Sequence, residues 1–334
     1  MSGYAGRVSV PAKAYRLDEI SPRAFQHPAD RAATAALEQI PYLDAVLRRL
    51  IQLGYERALR QFSLGAAVRL GDRQLPRIWA LHREAFDVLD VAELPDLYMT
   101  AFPFANATTF GAGKPVVVVN SELVRILDED RMRAVLAHEA AHVLADHILY
   151  RTALIILLRI SGRGIPVLAG LPLMALRAAL LEWERAAELS SDRAAAIVTR
   201  SPMTVCGTLM TLAAGEAADE LDLDAFVAQA VEYSERGTGV ERLSRLFLQL
   251  GLTHPLPVRR VHELLAWVRE GDYDRIVAGE YLRRGEEYTL REEADVAGAH
   301  YGDRVRNVFR DAGESITDIG KQLGDWLSRN RDDE

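Results

Sequence analysis

Two histidines and a glutamate, in the string His138-Glu139-Ala-Ala-His142, are the residues best suited to chemistry in this chain. Residues four apart in an α-helix lie on one face, so His138 and His142 can direct both imidazoles to the same point. Imidazole nitrogen is a preferred zinc ligand, and a catalytic zinc site keeps one position open for water. Glu139 lies about 100° around the helix from His138, where its carboxylate can contact such a water. The pattern predicts a zinc ion on this helix face, with Glu139 as the general base.

A metal held by two histidines needs a third protein ligand, and a later segment offers two glutamates. Glu184 and Glu188 share a helix face one turn apart, so spacing alone leaves either residue open. Asp192 follows Glu188 by one further turn and can accept the outer N–H of a zinc-bound histidine, which fixes the tautomer of that histidine. On one continuous helix His147 would point about 180° away from His138, so the spacing predicts no role for it.

The periodicity of apolar residues predicts the elements that position these side chains. Apolar steps of three and four predict helices, whereas short β-branched runs between glycine-rich turns predict a small antiparallel sheet. The expected class is therefore α+β and mostly helical. The predicted helices cover 30–63, 75–89, 129–150, 174–198, 203–250 and 255–270, and the predicted strands cover 66–70, 96–100, 105–110 and 115–119. We expect an N-terminal arm over 1–30, a main domain over 31–270 and a helical tail over 271–334.

Composition limits the classes of protein to which the chain can belong. Its 334 residues are 49% hydrophobic and 26% charged, as in soluble globular proteins. The net charge of −8 argues against sequence-independent binding to nucleic acid, which needs clustered positive charge. The single cysteine, Cys206, excludes an internal disulfide and a cysteine-rich metal site. Because the first residues lack the apolar core of a signal peptide, we expect a cytoplasmic location, with at most peripheral contact at the inner face of the membrane.

The segment 152–181, between the two predicted metal-bearing helices, is strongly apolar. Its longest run without a charged residue, Gly164–Leu176, is too short to cross a bilayer as one helix. Three interpretations are open: a buried helical hairpin, a membrane-surface patch whose arginines reach the lipid headgroups, or a self-association surface. Over 303–327, apolar residues alternate at steps of four and three, which predicts a helix packed on the body or on a partner helix.

Several longer strings resemble the HtpX-like family of zinc metallopeptidases, relatives of the CAAX prenyl protease and the mitochondrial Oma-type protease. The resemblance covers about residues 20–270 and is nearest to the soluble bacterial branch. It depends on the strings VLAHEAAHVLADHILYRT, WERAAELSSDR, FANATTFGAGKPVVVVNSELV and THPLPVRR. The resemblance implies a zincin-type (gluzincin) fold and polypeptide substrates. Ala141 departs from the family pattern, which usually has glycine there, and we expect this small residue to preserve the site.

The resemblance also implies roles for individual residues. It makes Glu188 the third zinc ligand, and it makes Asp192 and Arg185 residues that support the ligands. Asn106 falls where the family keeps an Asn-Ala pair on the edge strand above the metal, which implies contact with substrate. His254 falls at the His-Pro motif of the family, which implies contact with substrate or with the developing oxyanion. The other interpretation of His254 is a capping or core histidine.

Together these observations predict an endopeptidase with one Zn²⁺ per chain. Zinc lowers the pKa of a bound water from 15.7 to about 7, and Glu139 would take the proton and later pass it to the leaving amine. The strand predicted over 105–110 can pair with an extended substrate through main-chain hydrogen bonds. Two alternatives are open: a non-proteolytic, chaperone-like binding protein, and a latent protease whose zinc cleft is blocked.

Overall fold

Most of the described chain is helical, and several helices begin at a residue suited to that position. The computed structural model describes residues 15–40, 43, 47, 48, 51, 61, 65–160, 167–235 and 255–286, with the backbone alone for 159, 160, 167–175 and 235. The side chain of Asp128 accepts a hydrogen bond from the backbone N–H of Arg131 (2.8 Å), which caps one helix. The helices are α1 Pro28–Glu38, α2 Pro76–Val88, α3 Ser121–Ile126, α4 Glu129–Leu144, α5 Ile148–Ile160, α6 Val167–Thr199, α7 Pro202–Ala214, α8 Leu223–Glu235, α9 Pro257–Arg269 and α10 Asp272–Val277.

The sheet has four strands in the order β1-β2-β4-β3. The strands are β1 Val68–Arg69, β2 Asp96–Thr100, β3 Ala107–Phe110 and β4 Val116–Asn120. The mostly helical α+β class is confirmed, but the sheet is mixed and not purely antiparallel, because β2 and β4 run parallel. The reason is that β4, the second strand of the β3–β4 hairpin, inserts between β3 and β2. As a result β4 is central, with four successive buried valines, and β3 forms one edge of the sheet.

The helix predicted over 129–150 is broken. Helix α4 ends at Leu144, α5 begins at Ile148, and the two helices are bent by 106°. Asp146 lies at the break with φ of 56°, in the left-handed region that aspartate enters more readily than most residues. The break folds the chain back toward α4, so that the backbone N–H of His147 donates to the carbonyl oxygen of His142 (3.0 Å).

Helices α4 and α6 pack together and bring their polar side chains to a common region. Several of the buried residues of α6 are small, including Ala187, Ser190 and Ser191. Large side chains would hold the helices further apart, since interaxial distance depends on the residues at the contact. This packing places Glu188 against the histidine-bearing helix.

The described part of the predicted N-terminal arm packs against the body. Leu17, Ile20 and Phe25 are buried in the same hydrophobic cluster as Leu136 of α4. The backbone N–H of Ser21 donates to the carbonyl oxygen of Leu282 (2.9 Å), so residues near both ends of the described chain lie side by side. The helix predicted over 303–327 lies outside the described residues.

Both described ends of the apolar segment 152–181 are helical and buried. Leu154 and Leu157 of α5 and Leu180 of α6 share a hydrophobic cluster with Leu37 of α1. Residues 161–166 lie outside the described part, so the three interpretations of this segment stay predictions. Among the described residues, no single helix is both long and apolar enough to cross a membrane. Helix α4 and the part of α5 up to Leu158 are together long and apolar enough, but the two helices are bent by 106°.

Candidate metal centre

The structure brings His138, His142 and Glu188 together, with one ligand atom from each residue within 4.8 Å of the others. His138 Nε2 lies 3.2 Å from His142 Nε2, and the Glu188 carboxylate lies 3.4 Å from His138 Nε2 and 3.3 Å from His142 Nε2. A tetrahedral zinc with ligand bonds of about 2.0–2.1 Å has ligand–ligand edges of about 3.3 Å. Both the donor set and its spacing therefore fit zinc.

Glu184, the rival third ligand, lies outside this cluster. Its Oε1 is 3.1 Å from Arg151 Nε, and its buried Oε2 has no hydrogen-bond partner among the described residues. Burial raises the pKa of Glu184, and the neighbouring Glu188 adds to that effect against the opposing charge of Arg151. The structure thus separates Glu188 from Glu184, the rival that spacing alone left open.

Asp192 lies behind His138 and is held there by an arginine that the sequence reasoning missed. Asp192 Oδ1 is 3.2 Å from His138 Nδ1, which suits an acceptor for the outer N–H of that ring. Arg260 of α9 donates to both Asp192 oxygens, through Nη2 (2.6 Å) and Nε (2.7 Å), and its Nη1 lies 3.2 Å from Glu188 Oε2. Burial opposes ionisation of Asp192, but Arg260 and His138 outweigh it and lower the pKa of the carboxyl group. The only sequence signal for Arg260 was its place in the string THPLPVRR.

The carboxylate of Glu139 is fixed at one of its two oxygens. Thr109 Oγ1, on the edge strand β3, donates to Glu139 Oε2 (2.7 Å), and Arg151 Nη1 lies 3.3 Å from the same oxygen. All three side chains are buried. With Oε2 engaged by two donors, Oε1 is the oxygen that can take a proton from a water.

Carboxyl groups outnumber guanidinium groups among the buried side chains of this cluster. The carboxylates are Glu139, Glu184, Glu188 and Asp192, and the guanidinium groups are Arg151 and Arg260. Burial disfavours a charged imidazole at His138, but Glu188 and Asp192 outweigh burial and raise its pKa to about 9. At His142, burial and the charge of Arg151 lower the pKa well below its usual value. A divalent cation bound at this point would offset the excess of carboxylates.

His147 is part of the site, contrary to the expectation from a continuous helix. The break between α4 and α5 places His147 Nδ1 3.1 Å from His142 Nδ1. On the other side of the ring, His147 Nε2 lies 3.1 Å from Asp30 Oδ2 of α1. Asp30 also accepts hydrogen bonds from Ser190 Oγ (2.6 Å) and Thr34 Oγ1 (3.3 Å). Although burial opposes ionisation, these contacts lower the pKa of Asp30.

A cleft that is partly open to solvent runs over the cluster. Asn106 lies on its wall just before β3, and its carbonyl oxygen accepts from the backbone N–H of Asn120 (2.9 Å). Part of the wall is aliphatic and is formed by Leu123, Val135, Val205, Leu209 and Leu212. The cleft thus combines polar and apolar lining residues.

The remaining predicted site residues are Arg185 and His254. Arg185 is buried and forms an ion pair with Glu182 one turn earlier on α6 (2.6 Å). Arg151 and Arg260 lie near the candidate ligand Glu188, at 3.6 Å and 3.2 Å from its carboxylate oxygens. His254 lies outside the described residues, which resume at residue 255.

Comparisons with known proteins agree with this geometry. Residues 74–268, more than half of the chain, match the family model described as Peptidase family M48. A relative from Arabidopsis thaliana, plastoglobule-localized metallopeptidase 48, chloroplastic, is 34% identical over 258 residues, which cover 76% of this chain and 74% of the relative. No solved structure matches the chain. On this basis the chain belongs to peptidase family M48, a family of metal-dependent proteases.

Proposed function

We propose that this metallopeptidase is a zinc-dependent endopeptidase in which Glu139 is the general base. The observation that carries the proposal is the position of Glu139 in the same cleft as the candidate ligands His138 and Glu188, with Oε2 fixed by Thr109 at 2.7 Å. A site that only held a metal would have no need of a carboxylate oriented in this way. The resemblance to the HtpX-like branch belongs to the same proposal.

Each side chain of the site has a separate role in hydrolysis. Zinc bound by His138, His142 and Glu188 would supply a Lewis acid that polarises the scissile carbonyl and acidifies the attacking water. Glu139 takes the proton from that water at Oε1 and delivers it to the leaving amine, while Thr109 and Arg151 hold Oε2 in place.

The edge strand indicates which substrates the cleft accepts. Since, among the described residues, β3 pairs with β4 on one side only, its other edge can add an extended peptide through main-chain hydrogen bonds. Asn106 lies at the beginning of this strand and lines the cleft. Main-chain pairing requires neither terminus of the substrate, and the aliphatic wall suits an apolar side chain near the scissile bond. Extended segments of unfolded polypeptides are therefore the proposed substrates.

The experiment uses the purified full-length chain and casein as an unfolded substrate. We expect about one zinc per chain by elemental mass spectrometry, internal cleavage of casein, loss of cleavage with a chelator and recovery on adding zinc back. Fragments released only from the termini of casein would refute the endopeptidase assignment. A chain that binds zinc and captures casein without cutting it would support the chaperone-like or latent alternative instead.

A further inference from the structure

We propose that His147 and Asp30 are positioning residues that fix the ring orientation and tautomer of His142, and thereby increase the affinity of the site for zinc. The inference deepens the proposed function, because it depends on zinc being the metal. Neither residue contacts the point where the three ligand atoms converge. They act on that point only through His142.

The three residues form one continuous chain of contacts from the ligand cluster to the first helix of the fold. His142 Nδ1 lies 3.1 Å from His147 Nδ1, and His147 Nε2 lies 3.1 Å from Asp30 Oδ2. All three residues are at most 2% exposed, so no water layer screens these contacts. The His147 ring also packs edge-to-face on Trp183, with 5.4 Å between ring centroids, which limits its rotation.

Metal binding leaves only one arrangement of protons along this chain. When His142 Nε2 faces the metal, the ring proton of neutral His142 sits on Nδ1 and can be donated to His147 Nδ1. His147 then accepts at Nδ1, so its own proton sits on Nε2 and is donated to Asp30 Oδ2. The carboxylate at the end of the chain therefore selects the tautomer of His147, and His147 selects that of His142.

Asp30 is itself well anchored, as such a role requires. Ser190 of α6 donates to the same oxygen that faces His147, at 2.6 Å. Thr34, one turn later on α1, donates to the other oxygen at 3.3 Å and accepts from Trp183 Nε1 at 2.9 Å. The backbone N–H of His27 donates to Ser190 Oγ at 2.9 Å, which ties the beginning of α1 to α6. These contacts hold the carboxylate on the far side of His147.

Three variants of the full-length chain test the proposal, with the zinc dissociation constant measured by competition with a chromophoric chelator. Asp30→Asn keeps the volume of the side chain but replaces one acceptor oxygen by a donor, and His147→Leu removes both ring nitrogens. We expect each variant to weaken zinc binding about 10- to 100-fold, as loss of an outer partner of a ligand histidine typically does. His147→Gln offers an acceptor and a donor on one planar group, so we expect its zinc affinity to stay within about threefold of the natural chain.

A matched control separates this effect from general loss of a buried histidine. His82 is fully buried on α2 and bonds to the carbonyl oxygen of Pro95, so His82→Gln should leave zinc affinity unchanged. Thermal unfolding of each metal-free variant, followed by circular dichroism, shows whether its fold is intact.

The possible outcomes separate this inference from the proposed function. Natural-like zinc affinity in Asp30→Asn and His147→Leu would overturn the inference and leave the zinc site standing. Equal weakening in His147→Gln and His147→Leu, or in His82→Gln, would overturn it as well, because hydrogen-bond polarity would then not be the cause. If the natural chain takes up no zinc, the proposed function itself fails, and the inference fails with it.

Discussion

Arg260 donates two parallel hydrogen bonds to Asp192, from Nη2 to Oδ1 at 2.6 Å and from Nε to Oδ2 at 2.7 Å. The oxygen Asp192 Oδ1 also lies 3.2 Å from His138 Nδ1, and Arg260 Nη1 lies 3.2 Å from Glu188. One side chain of α9 thus holds a candidate ligand directly and a second one through its supporting acid. A planar guanidinium suits this geometry because its donors form a rigid fork.

Replacing Arg260 with methionine should damage both stability and metal binding. The change leaves Asp192 and Glu188 buried without their cation, and breaking a buried ion pair in this way costs about 3–5 kcal/mol. We expect a reduction of that size in the free energy of unfolding, measured with denaturant, together with weaker zinc binding. Arg260→Lys is the matched control, because lysine keeps the charge but loses the fork of donors. Its unfolding free energy and zinc affinity should lie between those of the natural chain and those of the methionine variant. A methionine variant as stable as the natural chain would contradict the argument.

Replacing Glu139 with glutamine should abolish catalysis and spare the metal. Glutamine keeps the shape of the side chain and can still contact Thr109, but it cannot accept a proton from water. We expect unchanged zinc content and a fall in kcat of about 10²- to 10⁴-fold, the usual contribution of a general base. Casein cleavage and elemental analysis of the same preparation measure both quantities. Substantial cleavage by the glutamine variant would reject Glu139 as the base.

Glu188 and Glu184 provide a matched pair for the third ligand. Glu188→Gln removes a carboxylate that lies 3.3–3.4 Å from both histidines, so we expect the purified variant to lose its zinc during dialysis. Glu184→Gln should keep the zinc, because Glu184 faces Arg151 and lies outside the cluster of candidate ligands. If the Glu184 variant loses zinc and the Glu188 variant retains it, the ligand assignment is wrong.

Local patterns in the sequence predicted the parts of the site that lie within a few turns of one helix. The i,i+4 spacing was enough to pair His138 with His142, because both lie on the unbroken helix α4. The same reasoning was wrong for His147, because it assumed one continuous helix. The segment 144–147 contains no glycine or proline that would predict the bend after α4. The left-handed conformation of Asp146 depends on packing that no local pattern encodes.

Local sequence patterns could not predict the supporting residues either, for a similar reason. Arg260 is 68 residues from Asp192, and Asp30 is 117 residues from His147, so only the folded chain brings each pair together. The sheet shows the same limit, because strand order depends on where β4 inserts and not on the order of strands in the sequence. The run of four valines in β4 did carry a usable signal, since such a run is typical of a central strand.

A buried histidine away from the metal centre should make stability depend on pH. His82 Nε2 bonds to the carbonyl oxygen of Pro95 (2.9 Å), and Nδ1 has no hydrogen-bond partner in the part of the chain that the structure describes. Burial lowers the pKa of the ring to about 4. The unfolded chain, with a histidine pKa of about 6.5, therefore binds more protons between pH 4 and pH 6.5, and stability falls as the pH drops through that window.

The prediction for His82 is tested by comparing the natural chain with His82→Gln, so that the contributions of the other titrating groups cancel. Between pH 7.5 and pH 5, the ring should cost the natural chain about 2 kcal/mol of unfolding free energy. His82→Gln cannot titrate, yet its amide can still donate to the Pro95 carbonyl oxygen. Denaturant unfolding of both chains at the two pH values should therefore show a smaller loss in the glutamine variant, by about that amount. Parallel losses in the two chains would mean that His82 accepts a proton without cost in the folded state, against the effect expected from its burial.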